Sequence, residues 1–194
     1  MTAFTTGNPA FSPEDLAALA AQHFGKRGTI RPLPSERDQN ARLVCDDGDY
    51  VLKIANPAED PGQIDLQNAT MLHLARVGQP GIPRVVPTLT GADRASVSVG
   101  SQPAAMRLVT WIGGTQLAEA PRSLEQLANL GRFMAGLTRS MQGFGHPQAF
   151  RPDFPWSLDH VIQLKDHAED IADPTRRDLV KRLFTRYETQ ILPH

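Results

Sequence analysis

The sequence predicts an α+β protein, with an antiparallel sheet carrying one inserted helix over residues 1–112 and a helical region over residues 113–194. Three observations carry this reading. The stretch "ARLVC", "DDGD", "YVLKIA" reads as a hairpin, because Asp47-Gly48 supplies the positive φ angles of a tight turn between two apolar runs. One amphipathic helical stretch interrupts the strands. Beyond the connector "GGTQLAEAP" the remaining apolar runs have helical spacing.

The elements follow in order. "SPEDLAALAAQHFG" is a helix with Ser12 as N-cap, Pro13 at the first helical position, Glu14 and Asp15 against the positive end, and Gly25 as the stop. "TIRPL" is a strand that precedes the hairpin. In "GQIDLQNATMLHLARVG", Ile64, Leu66, Met71, Leu74 and Ala75 follow helical spacing and Gly78 ends the run. "RVVPTL" and "ASVSVG" read as strands around the turn "TGADR", and "AAMRLVTWI" as a buried strand. Ser123 caps "SLEQLANLGRFMAGLTRSMQGF", whose apolar stripe is Leu124, Leu127, Leu130, Phe133, Met134 and Leu137. "HPQAFRPDFPW" is a proline-broken loop. "SLDHVIQLKDHAEDIA" and "DPTRRDLVKRLFTRYETQIL" are expected as two further helices, the second opening on Asp173-Pro174.

Composition narrows the function classes. With 40% hydrophobic and 21% charged residues the chain reads as globular, and a net charge of -1 gives no electrostatic footprint for nucleic acid or an anionic membrane. No apolar run approaches the roughly 20 residues of a membrane span. The first residues lack the basic start and apolar stretch of a secretion signal, so a cytoplasmic location is expected. Cys45 is the only cysteine, which excludes an internal disulfide framework and a cysteine zinc site. No two histidines have the i, i+4 spacing of a zinc helix, and no Gly-x-Ser-x-Gly nucleophile motif occurs.

The anomaly is Lys53 in "DYVLKIANP". Alternation puts Tyr50, Leu52 and Ile54 on one face of the strand and Val51, Lys53 and Ala55 on the other. A charge inside such a run is costly to bury unless an anion meets it. The loop "PSERDQN" joins the preceding strands over the same end of the sheet. The next helix can bring a carboxylate or amide toward the lysine, and the last strand runs into a connector with a free backbone edge. Lysine on phosphate, loop as lid and connector for the base make a nucleoside triphosphate site of the protein-kinase kind.

An ordered set of stretches, "RPLPSERDQNARL", "YVLKIANP", "IDLQNATMLHLA", "RLVTWIGG", "LANLGRFMAGL" and "GFGHP" with "FPWSLDH", resembles the aminoglycoside phosphotransferase and choline kinase family. The set covers most of the chain. It is most similar to the hydroxylysine kinase branch and also resembles kinase-like domains fused to class III aminotransferases. The resemblance implies a protein-kinase-like N-terminal lobe followed by the first helices of an incomplete helical C-terminal lobe.

It also implies roles. Lys53 would hold the α- and β-phosphates of ATP, and Val51 would form part of the adenine roof. Ser35, Gln39 and Asn40 would be the polar members of a phosphate-covering loop that, unlike a glycine-rich one, has no glycine. Val109, Thr110 and Trp111 would receive the adenine edge. The helix partner of Lys53 stays open between Asp65, favoured by charge, and Gln67, favoured by alignment. Positions two apart do not share a helix face.

The family's catalytic loop, His-Gly/Asn-Asp-x-x-x-x-Asn, is not found, and no asparagine follows Asn129. Ligands for Mg2+ are expected downstream of this chain. The expectation is therefore a chain that binds nucleotide weakly without turnover, with uncovered helices prone to self-association. It would be part of a kinase for a small amino alcohol or amino acid. The alternative is a non-catalytic nucleotide-binding or docking module associated with an aminotransferase.

Overall fold

The computed structural model describes residues 8–151 and 157–192; Trp156, in the quoted "FPWSLDH", lies outside them. The chain divides into two compact units, Met1–Gln148 and Ala149–His194. The change in sequence character at residues 112/113 falls inside the first unit, so the helix after the connector belongs with the sheet.

Helix α1 (Pro13–Phe24) begins with a reciprocal cap. Ser12 Oγ accepts from the Asp15 N–H at 3.1 Å, and the Asp15 carboxylate accepts from the Ser12 N–H at 3.2 Å. Gly25, at φ 66°, closes it in a left-handed turn. Strands β1 (Thr29–Leu33), β2 (Gln39–Cys45) and β3 (Gly48–Ile54) form an antiparallel meander. The tight turn of the hairpin is Asp46-Asp47, one residue earlier than expected: Cys45 pairs with Gly48, which is already in β3, and of the expected pair only Gly48 has a positive φ, at 128°. Helix α2 (Pro61–Arg76) follows, capped by the Asp60 carboxylate on the Gly62 N–H at 2.8 Å. Then come β4 (Val85–Val86), β5 (Ala95–Val99) and β6 (Gln102–Thr110). The stretch read as the strand "RVVPTL" keeps only two paired residues. Pro83 and Pro87 flank them and have no N–H to give a ladder.

The six strands form one antiparallel sheet in the order β1-β2-β3-β6-β4, with β5 also paired to β6. One face packs on α1. Leu16, Ala20 and Phe24 meet Ala41, Leu43, Tyr50, Leu52, Ile54, Met106 and Leu108 in the main core. Burying these apolar side chains supplies most of the stabilisation of the sheet. The opposite face carries the polar residues described below.

Helix α3 (Leu124–Ser140) starts where expected, with Ser123 Oγ accepting from the Gln126 N–H at 3.0 Å. It has no buried residue, and Leu124 is 86% exposed.

In the second unit, Leu158–Asp170 is a 3-10 helix where the sequence reads as an α-helix. Leu158, Val161 and Leu164 recur every third residue, which is the 3-10 repeat. Helix α4 (Pro174–Gln190) is capped by Asp173 on the N–H groups of Thr175 and Arg176 at 2.8 and 3.2 Å. Phe184 and Ala168 are buried in this unit, Lys165 pairs with Glu188, and the Tyr187 hydroxyl donates to the Leu158 carbonyl at 3.2 Å. Among the described residues no helix is long and apolar enough to cross a membrane.

Candidate functional site

Strand register sorts the side chains opposite α1 into three cross-strand rows. Asn40 pairs with Lys53, and Lys53 with Arg107. Arg42 pairs with Val51, and Val51 with Val109. Val44 pairs with Asp49, whose carbonyl accepts from the Trp111 N–H at 2.9 Å. Successive rows are two residues apart, about 6.6 Å along the strands. The face thus runs from a cationic end through an aliphatic middle to an aromatic end.

The cationic end concentrates charge. Burial, and then the charge of Arg107, push the Lys53 ammonium below its ordinary value, while Asp38 acts the other way. Among the described residues no hydrogen bond or ion pair holds that ammonium. Arg107 is 5% exposed and is pushed down by burial. It donates to Gln67 Oε1, and to Asn68 Oδ1 at 3.2 Å. Asn40 Nδ2 donates to Ser35 Oγ at 3.1 Å, but its Oδ1 is buried without a partner. Asp38 accepts from the Asn56 N–H at 3.1 Å. In the loop beside it, Arg37 Nη1 donates to Glu59 at 3.5 Å, while its Nε and Nη2 are buried with no partner. A half-buried ammonium with no bonded partner, set opposite the cationic Arg107 and with Asp38 as the one carboxylate acting on both, fits an anion.

The structure gives both candidate helix partners of Lys53 other work. Asp65 accepts from Arg94 at 2.7 and 3.2 Å, and Gln67 accepts from Arg107. Gln39 also departs from its expected place over the phosphates. Its amide exchanges two 2.8 Å hydrogen bonds with the Phe11 backbone, because position 39 is of the parity that faces α1. Asn40 and the exposed Ser35 stay on the side of Lys53.

At the middle of the face Val109 is buried and Val51 half-buried. At the far end the Arg42 guanidinium lies 4.4 Å from the Trp111 ring centre and is bound by Asp49. The Thr110 N–H donates to the Arg84 carbonyl at 2.9 Å, and its hydroxyl accepts from the Arg84 N–H at 2.9 Å. The N–H groups of Thr110 and Trp111 are therefore occupied within the sheet. Among the described residues, the first connector N–H groups without a bond are those of Ile112 and Gly113. No group of three or more His, Cys, Asp or Glu side chains gathers among the described residues in a way that could hold a metal ion.

Arg107, Arg42 and Arg37 were not singled out in the sequence reading. The signal for Arg107 was present: a charge inside the buried run "AAMRLVTWI" is the same anomaly as Lys53.

An antiparallel sheet with a helix inserted after its third strand, and an unpaired lysine on that strand, is the architecture of a kinase-like phosphotransferase. Residues 29–193 match the model of the Phosphotransferase enzyme family, and the chain belongs to that family. Hydroxylysine kinase of Mus musculus is 28% identical over 207 residues, covering 96% of this chain and 54% of that protein. The chain spans about half the length of the curated relatives it matches. Among solved structures, an amicoumacin kinase in complex with AMP-PNP and Ca2+ aligns with a TM-score of 0.62 at 13% identity, over 91% of this chain and 54% of that one. A microcompartment-associated aminopropanol kinase aligns with a TM-score of 0.58 at 21% identity, over 76% of this chain and 46% of that one. These likenesses establish the shared α+β fold.

Proposed function

We propose that this chain is the nucleotide-binding part of an ATP-dependent phosphotransferase acting on the hydroxyl of a small amino compound. The observation that carries the reading is the row Asn40, Lys53, Arg107 set beside the row Val51, Val109. The polyphosphate would lie over the first row, with Lys53 as its principal cation, and the adenine ring against Val51 and Val109. Trp111 would border the base, and the backbone of Ile112 and Gly113 would meet its edge in place of Thr110. Ser35 and Asn40 would close over the phosphates with Arg37.

The acceptor class rests on the relatives: the matching proteins include a hydroxylysine kinase and an aminopropanol kinase. ATP with a divalent cation is the matching donor, in line with the AMP-PNP and Ca2+ of the amicoumacin kinase.

Isothermal titration with ATP and Mg2+ tests the reading. Wild type is expected to give a measurable binding heat, and Lys53→Met to lose most of it. Equal heats for the two proteins would remove Lys53 from the site and the reading with it.

A further inference from the structure

Resting on that reading, we propose that Arg107 is a positioning residue with two tasks: it docks α2 through Gln67 and Asn68, and it is the second cation of the polyphosphate site.

The argument starts from the cross-strand pair. Lys53 and Arg107 are directly opposed on β3 and β6, where like charges destabilise a sheet. Both are substantially buried, and burial opposes the charge of each. Asp38 is the carboxylate acting on both, and it is also bonded to the Asn56 backbone. Lys53, Arg107 and Asp38 therefore leave one positive charge unbalanced. In a lysine-glutamate arrangement the helix itself would neutralise the cluster. Here the helix offers only neutral amide oxygens, and it offers them to Arg107. Those oxygens satisfy the guanidinium without cancelling its charge. Asn68 is itself 2% exposed and fixed by its Nδ2 on the Asp93 carbonyl at 3.0 Å, so the acceptors are held in place.

Two consequences distinguish this arrangement. Helix docking does not consume Lys53, so its ammonium stays available to an anion. The remaining charge then makes a polyanion the natural counter-ion, and a carboxylate introduced at position 67 should compete with it.

Titration of the full chain with inorganic tripolyphosphate, together with amide hydrogen exchange over α2, tests the proposal. Gln67→Glu keeps an acceptor for Arg107 but adds a negative charge. It should weaken tripolyphosphate binding by about tenfold while exchange over α2 stays as slow as in wild type. Arg107→Met should weaken binding and also speed exchange over α2. Lys53→Met should weaken binding and leave α2 unchanged. Unchanged or tighter binding by Gln67→Glu, which keeps the chain folded with little change of shape, overturns the proposal. So does unchanged α2 exchange in Arg107→Met. Undiminished binding by Lys53→Met overturns the nucleotide reading itself, and this proposal with it.

Discussion

Arg42 and Trp111 form a stacked pair: the guanidinium lies 4.4 Å from the indole centre and is held there by Asp49 through a 2.7 Å bond from Nε. The pair stands toward the end of the sheet face away from the row of Asn40, Lys53 and Arg107. It turns Trp111 into a reporter of whatever occupies the space next to Val51 and Val109.

Trp111 is one of two tryptophans, so in a Trp156→Phe background its emission stands alone. ATP is expected to shift that emission, and Arg42→Ala to alter it in the free protein. Loss of the partly exposed cation–π contact should cost about 1 kcal/mol in urea unfolding. Emission indifferent to saturating ATP would place the base elsewhere.

Lys53 predicts a pH dependence. Burial and Arg107 hold its folded pKa below the ordinary value of 10.5. A lysine lowered in this way costs stability while it is charged. The cost is in full force below the folded pKa and is relieved as pH climbs toward 10.5. Lys53→Met should therefore be more stable than wild type at neutral pH, with the gap narrowing as the medium becomes alkaline. Paired urea midpoints across that range give the answer, and a constant gap would contradict it. ATP affinity should fall over the same interval in wild type alone, because the anion needs the ammonium.

Gln39 predicts a loss of stability without a loss of binding. Its amide is the bidentate partner of the Phe11 backbone. Gln39→Ala should cost about 1–3 kcal/mol and speed amide exchange through α1. The affinity of the folded protein for tripolyphosphate should hold. A selective drop in affinity at unchanged stability would return Gln39 to the phosphate loop.

Asp65 is the control for charge on α2. Its pair with Arg94 is roughly half exposed, so Asp65→Asn should change stability by no more than about 1 kcal/mol. Tripolyphosphate affinity should stay level in calorimetry. A strong loss would mean that Asp65 reaches the cluster around Lys53 after all.

Local chemistry made much of the fold legible. Ser12, Ser123 and Asp173 mark helix starts through side-chain oxygens that accept first-turn N–H groups, Gly25 marks a helix end through its left-handed backbone, and the Asp46-Asp47-Gly48 run marks the hairpin, with the turn one residue earlier than Asp47-Gly48. The 3-10 segment was less legible, because a spacing of three suits both helix types over a short run. The site divides in the same way. Lys53 and its face followed from alternation along one strand. Arg107 needed the knowledge that β6, about fifty residues later, lies beside β3 in this register. The partners of Asp65 and Gln67 likewise depend on where Arg94 and Arg107 arrive, and no single stretch of sequence states that. Gln39 and Asn40 are adjacent in the chain yet serve opposite faces, so assigning the loop as a block merged two different tasks.

The hairpin register has one more implication, for changes of length. Lys53 and Leu52 are sorted to opposite sides only by odd and even position along β3. One extra codon between Val51 and Leu52 would exchange them, driving the ammonium among Leu16 and Phe24 and leaving leucine where the anion should sit. Two extra codons at that point would keep the sidedness of every following residue. The strand should therefore tolerate insertions in pairs far better than singly, a rule that no catalogue of point substitutions would reveal.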